Sequence, residues 1–205
     1  MEKIPIFTDW LYEWDVPRGI LDVALGFALD APYHSGGKNH TSYPENFFSD
    51  EFDPVREWVD ARLEEIRLDL NMEFESLKST VFWTTKSHQG QWHHTHKHGM
   101  SFASGIIYLT PSGSETWFSR ESIWGPEHTS IALHDVEKSS LLHKRKTEVG
   151  KLVIFPSKLL HSVTEHDLYE PRHSLSFNSY PSGLLGSFSD KHSRRLLNIT
   201  VNQKQ

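Results

Sequence analysis

Four histidines, His93, His94, His96 and His98, fall within six positions of the stretch GQWHHTHKHGMSFASGIIYL (Gly90 to Leu109). Imidazole is the commonest side-chain metal ligand. Read as a strand, the segment puts His94, His96 and His98 on one face by period-two alternation. His94 with His96 and His96 with His98 are then equally good chelating pairs by geometry. A merely polar loop would more often use Ser, Asn, Lys or Glu, and a purification tag would be a homopolymer at a terminus. The plain alternative is scattered surface histidine, because the chain holds 14 in 205 residues. His34, His40, His128 and His143 read as ordinary loop residues of that kind.

A second stretch, GKLVIFPSKLLHSVTEHDLYEPRHSLSFN (Gly150 to Asn178), supplies what a metal site would need to close. Gly150 opens a strand over Leu152 to Phe155, Pro156-Ser157 breaks it, and His161 begins the next short run. Further on, alternation puts Arg172, Ser174 and Ser176 on one strand face and Leu175 and Phe177 on the other. An inward Arg with a Ser beside it suits capture of a small carboxylate. The guanidinium fork matches the carboxylate in two parallel hydrogen bonds, and the hydroxyl adds a third donor. The bland reading of Arg172 is a surface ion pair.

The elements that must position these residues are mostly strands. From residue 78 onward, STVFWTT, ASGIIYLT, ETWFS, TSIALHD, GKLVIF and RHSLSFN are short, β-branched and aromatic, and bounded by Gly, Pro and Ser. Many short strands without helices between them indicate a sandwich or barrel, with a jelly roll of two packed sheets the natural candidate. The last stretch predicts one more strand and a frayed tail. Before this core, DPVREWVDARLEEIRLDL is the clearest helix, with Asp53 placed to cap it and Pro54 in its first turn. Its Val55, Trp58, Val59, Leu63, Ile66 and Leu70 recur at helical spacing and predict packing on a sheet. The first fifty residues are aromatic-rich and interrupted by the loop APYHSGGKNHTSYPENFF. The reading is one mainly-β domain over 1–205: a helical and loop layer over 1–75 and a strand core over 76–205.

Composition narrows the function classes. A net charge of −6 leaves no basic footprint, so bulk nucleic-acid binding is not favoured, although a local groove could still act on one. Cysteine is absent, which excludes disulfides and thiolate metal sites and suits a reducing cytoplasm. The chain shows no apolar h-region near Met1 and no run approaching 18 apolar residues, so neither signal peptide nor membrane span is expected. The sequon at Asn198 then reads as chance.

Together the two histidine-bearing stretches resemble the iron(II)/2-oxoglutarate-dependent oxygenases. They are most similar to the small members, often phage- or bacterium-encoded, with a His-x-His-(x)5-Ser-Gly-x-x-Tyr-Leu element, here HKHGMSFASGIIYL. The second family element appears as GKLVIFPSKLLHSV followed by RHSLSFN, and SGSETWFS looks like a worn copy of a Gly-Gly-x-Thr-x-Phe turn. The likeness covers residues 75–180 well and the first third only loosely.

This resemblance implies a double-stranded β-helix (jelly roll, cupin-like) with supporting N-terminal helices. It implies an Fe(II)- and 2-oxoglutarate-dependent dioxygenase that hydroxylates an unidentified substrate and releases succinate and CO2. His96, His98 and His161 match the metal ligands, with His94 as the alternative ligand. Arg172 and Ser174 match the grip on the distal carboxylate of 2-oxoglutarate, and Tyr108 and Asn178 sit where cosubstrate contacts are expected. The implied partners are 2-oxoglutarate and O2, with a protein side chain or a small molecule as substrate. A homodimer stays open, and the location is cytoplasmic, or the host's cytoplasm if phage-encoded. Trp92, Trp117, Trp124 and Phe102 are candidates for an entrance.

One departure stands out. The wider superfamily uses two histidines and a carboxylate with three positions open, whereas His98 here makes the triad three neutral imidazoles. Two rivals follow from that. One is a three-histidine cupin enzyme without 2-oxoglutarate, against which Arg172-x-Ser174 stands. The other is a non-catalytic jelly-roll module whose structural metal is closed by His94 as fourth ligand.

Overall fold

The computed structural model describes residues 9–35, 39–43, 47–119, 142–185 and 197–201. In chain order its elements are β1 (Tyr12–Asp15), α1 (Arg18–Asp30), β2 (Tyr33–Ser35), β3 (His40–Ser42) and α2 (Asp53–Asp69). Then come β4 (Ser76–Ser87), β5 (His93–His96), β6 (Ala103–Tyr108), β7 (Glu115–Ser119) and β8 (Leu142–Lys146). The chain continues through β9 (Lys151–Pro156), β10 (Leu160–Val163), β11 (Arg172–Leu185) and β12 (Leu197–Ile199). The expected strand TSIALHD, along with Trp124 and His128, lies outside the described residues.

The strands form two antiparallel sheets. One runs β1-β9-β6-β11-β4-β3-β2, with β12 added on β11; the other runs β5-β10-β7-β8. From β4 to β11 the chain passes back and forth between them: β4, β6, β9 and β11 lie in the larger sheet, and β5, β7, β8 and β10 in the smaller. That winding is a double-stranded β-helix, the jelly roll that the strand count predicts. The N-terminal third is more than a helical layer, however. β1 pairs with β9, and β3 pairs with β4, so three of its segments extend the larger sheet. His34 and His40 therefore sit on strands rather than loops, as does His143 on β8.

Both helices give the larger sheet an apolar backing. The helical stripe of α2 buries Val55, Val59, Leu63 and Ile66, whereas Leu70, just past the last turn, is exposed. Asp53 does not cap it. A 3-10 turn over Asp50–Phe52 runs straight into the helix, and Asp53, its first residue, pairs with Arg56 instead. The buried Asp60 accepts hydrogen bonds from the Ser79 backbone N–H at 2.8 Å and hydroxyl at 2.7 Å, fixing helix to β4.

The β11 alternation follows expectation: Leu175 and Phe177 enter the apolar core with the helices, leaving Arg172, Ser174 and Ser176 to the space between the sheets. Gly105 on β6 pairs with Phe177, and a Cβ there would lie 2.2 Å from the Phe177 ring, so only glycine lets the ring close over the strand. Among the described residues no helix is long and apolar enough to cross a membrane.

Candidate active site

Between the sheets, one cavity is bordered by His96, His98, His161, Tyr108, Arg172 and Ser174, so six of the sequence-derived site residues come together. His161 stands on β10 opposite His96 on one side and Phe118 on the other. Phe155 packs edge-on against its ring at 4.7 Å between centroids. His98 lies just beyond β5, where its backbone N–H donates to the Ser157 carbonyl at 3.0 Å. The Pro-Ser turn after β9 thus holds the loop that carries His98. The Ser157 hydroxyl in turn bonds those of Ser101 (2.7 Å) and Ser104 (2.8 Å).

The three rings are prepared as nitrogen donors. His96 Nδ1 lies 2.9 Å from the His94 carbonyl, and His161 Nδ1 lies 3.0 Å from the Leu159 carbonyl. A carbonyl only accepts, so each Nδ1 carries the proton and each neutral ring offers its Nε2 lone pair. His98 Nε2 lies 3.2 Å from His161 Nε2. Two nitrogens ~2.1 Å from one divalent ion and at right angles are about 3.0 Å apart, so this spacing fits a shared metal. One ligand nitrogen from each of His96, His98 and His161 lies within 4.8 Å of the other two.

Burial pushes the His161 imidazole down to about 3 and His98 down to about 4, with neighbouring imidazoles adding to the effect. His96 is lowered as well, chiefly by burial. At neutral pH none of them needs to lose a proton before binding a cation.

Deviation from strict alternation reorganises the rest of the cluster. His161 pairs with His96 but Val163 pairs with His93, so two steps along β10 are matched by three steps along β5, a β-bulge. The bulge turns His93 and His96 to the cavity and leaves His94 exposed. His94, His96 and His98 therefore do not share a strand face. His93 is the residue that the period-two reading misses, and nothing in a run of mixed histidines flags the extra residue in advance.

Arg172 supplies the site's electrostatic feature. It is 4% exposed, and among the described residues its Nη1 reaches only the Ser114 hydroxyl at 3.4 Å and its buried Nε has no partner. Among the described residues no carboxylate pairs with it. Burial lowers its pKa to about 10, so it stays charged at neutral pH. Tyr108, whose pKa burial raises, bonds its hydroxyl to that of Thr116 at 2.9 Å and faces the same space.

Asn178 does not border the cavity. Its side-chain oxygen accepts from Ser104 at 2.8 Å, which joins it to the serine network. Trp117 belongs to the opposite face of β7 from Thr116 and Phe118, where it donates to Glu115 at 2.9 Å and carries Lys144 over its ring. Among the described residues it does not border the cavity.

Residues 81–178, a span that holds every residue of this site, match a family described as "Putative 2OG-Fe(II) oxygenase". Over that span the chain is similar to the 2OG-Fe(II) oxygenases. The matched family is named for iron(II) and 2-oxoglutarate. No curated protein matches the sequence.

Solved structures share the fold of this chain. A Pseudomonas putida prolyl-4-hydroxylase superposes with a TM-score of 0.59 at 15% identity, covering 86% of this chain and 95% of that one. The epimerase SnoN from nogalamycin biosynthesis gives 0.65 at 11% identity, covering 95% and 92%. HygX from Streptomyces hygroscopicus, with nickel, 2-oxoglutarate and hygromycin B bound, gives 0.60 at 10% identity, covering 85% and 84%. A hydroxylase and an epimerase share this scaffold, so the fold alone does not set the reaction's outcome.

Proposed function

We propose that this protein is a 2OG-Fe(II) oxygenase that hydroxylates its substrate with iron(II) held by His96, His98 and His161, and with the distal carboxylate of 2-oxoglutarate held by Arg172 and Ser174. The observation that carries the reading is the buried guanidinium of Arg172, which has no carboxylate partner among the described residues, in the same cavity as the three histidines. A buried charge is costly unless it is paired. Here the missing anion is supplied by a ligand that reaches the metal at one end and Arg172 at the other. That argues against a three-histidine cupin without 2-oxoglutarate, which would have no use for such a cation.

When bound, iron and 2-oxoglutarate supply the oxidative decarboxylation to succinate and CO2, with insertion of one atom of O2 into a substrate C–H bond. The protein's own residues orient and enclose. The His94 and Leu159 carbonyls fix the tautomers of His96 and His161, and Ser157 holds the loop of His98. Phe155, Phe118 and Val163 wall off His161 from water. Arg172 offers two parallel N–H groups to a carboxylate, with the Ser174 hydroxyl beside them. Three neutral imidazoles leave the metal one charge more positive than two histidines and a carboxylate would, which strengthens its hold on an anionic chelating cosubstrate.

The test is turnover without a substrate. Iron(II)-loaded protein in air should convert 2-oxoglutarate to succinate slowly and in proportion to enzyme, and His161→Ala should not. Absence of succinate from a fully iron-loaded protein that binds 2-oxoglutarate would refute the hydroxylase reading.

A further inference from the structure

His96 belongs to two clusters. One ligand nitrogen from each of His93, His94 and His96 also lies within 4.8 Å of the other two, as in the His96, His98 and His161 set. The β5 bulge creates this second cluster by bringing His93 round to the side of His96, with 4.3 Å between ring centroids. It runs from the solvent side, where His94 is exposed, towards the buried His161. Among the described residues the rings of His93 and His94 have no hydrogen-bond partner, so their lone pairs are not committed elsewhere.

The geometry points to a second, outer binding site for a divalent transition metal at His93, His94 and His96, from which the ion passes to the inner triad while His96 stays bound. This rests on the reading that His96, His98 and His161 hold the catalytic metal. His96 Nδ1 is spent on the His94 carbonyl, so both sites need the one Nε2 lone pair and only one can be filled at a time. An aqueous ion meeting the protein must shed water to reach His161 behind its aromatic wall. An outer site that already offers imidazole nitrogens lets that exchange go one ligand at a time. All-nitrogen donation suits Co(II), Ni(II), Zn(II) and Fe(II) rather than Mg(II) or Ca(II), which take oxygen.

The experiment uses the full chain and Co(II), whose visible bands report on nitrogen ligation, with stoichiometry by titration and loading followed by stopped flow. Wild type should take up one equivalent; two equivalents would overturn the sharing of His96. His98→Ala/His161→Ala should still bind one equivalent, more weakly, through the outer site, and a folded variant that binds none would overturn it. His96→Ala should lose both sites, and an equivalent retained there would again contradict sharing. His93→Ala/His94→Ala changes only the rim strand, so its readout stands even if the inner double variant fails to fold. It should keep one equivalent but load about tenfold more slowly, the effect of about 1.4 kcal/mol on the barrier; loading at the wild-type rate would overturn the handover. A different failure, with binding lost in His93→Ala/His94→Ala and unchanged in His98→Ala/His161→Ala, would instead overturn the inner triad as the catalytic centre.

Discussion

The Nε2 atoms of His98 and His161 stand 3.2 Å apart although 63 positions separate them in the chain. The two residues reach that spacing by different means. His161 is fixed by strand register, opposite His96 and Phe118, whereas His98 hangs on a loop held to the Ser157 carbonyl. Removing His161 should therefore abolish tight binding at the inner triad while circular dichroism remains native, because an open metal site does not hold the apolar core behind the sheet. The measurement is Ni(II) calorimetry on His161→Ala. Unchanged affinity and enthalpy would remove His161 from the ligand set.

Ser157 offers a subtler handle. Ser157→Ala keeps the carbonyl that receives the His98 N–H but deletes the hydroxyl that bonds Ser101 and Ser104. Partners that orient ligands without touching the metal typically alter affinity by about 10- to 100-fold, and a loss in that range is expected. A fall in metal affinity with little change in thermal midpoint separates this positioning role from a general loss of stability.

How much of this was legible without coordinates depends on the regularity of each strand. On β11 the alternation is unbroken from Arg172 to Asn178, so the division of Arg172 and Ser174 from Leu175 and Phe177 is read correctly from the sequence alone. The jelly roll follows from the same run of short strands. β5 defeats the method because its bulge is a property of pairing with β10, and that partner lies more than sixty residues away. His93 was hidden and His94 misplaced for this one reason. The helix cap at Asp53 failed for another reason: a 3-10 turn over Asp50–Phe52 runs straight into the helix, so Asp53 already lies inside it. The serine network around Ser157 joins three separate segments and has no linear signature.

Arg172 should be a burden to the protein without its ligand. Replacing a buried ionic group with an apolar one of similar size is often neutral or stabilising by ~1–4 kcal/mol, so Arg172→Met should melt no lower than wild type when both lack 2-oxoglutarate. Adding 2-oxoglutarate to metal-loaded protein should then raise the midpoint of wild type only. If Arg172→Met is strongly destabilised in the absence of ligand, the guanidinium has an anionic partner within the protein.

Acid should destabilise the metal-free protein early. His161 is pushed down to about 3 and His98 to about 4 in the folded state, against about 6.5 in an unfolded chain. Between those values the unfolded state binds more protons, so stability rises with pH across this window and is lost as pH falls below about 6.5. Urea midpoints measured from pH 7.5 to 4.5 should drop, and His161→Phe should flatten part of the slope. A midpoint independent of pH over this range would mean that these rings are not buried as neutral imidazoles.

Anaerobic titration of iron(II)-loaded protein with 2-oxoglutarate is the most direct test, because chelation of the keto acid to iron gives a visible charge-transfer band. Wild type should develop the band to a stoichiometry of one. Arg172→Ala should bind iron equally well but need roughly 30-fold to several-thousand-fold more 2-oxoglutarate, the equivalent of ~2–5 kcal/mol for an unpaired buried charge. Arg172→Lys should recover only part of the loss, since a point charge lacks the planar fork. A wild-type protein that binds iron and shows no band at saturating 2-oxoglutarate, or an Arg172→Ala variant that titrates like wild type, would contradict the assignment of this cavity.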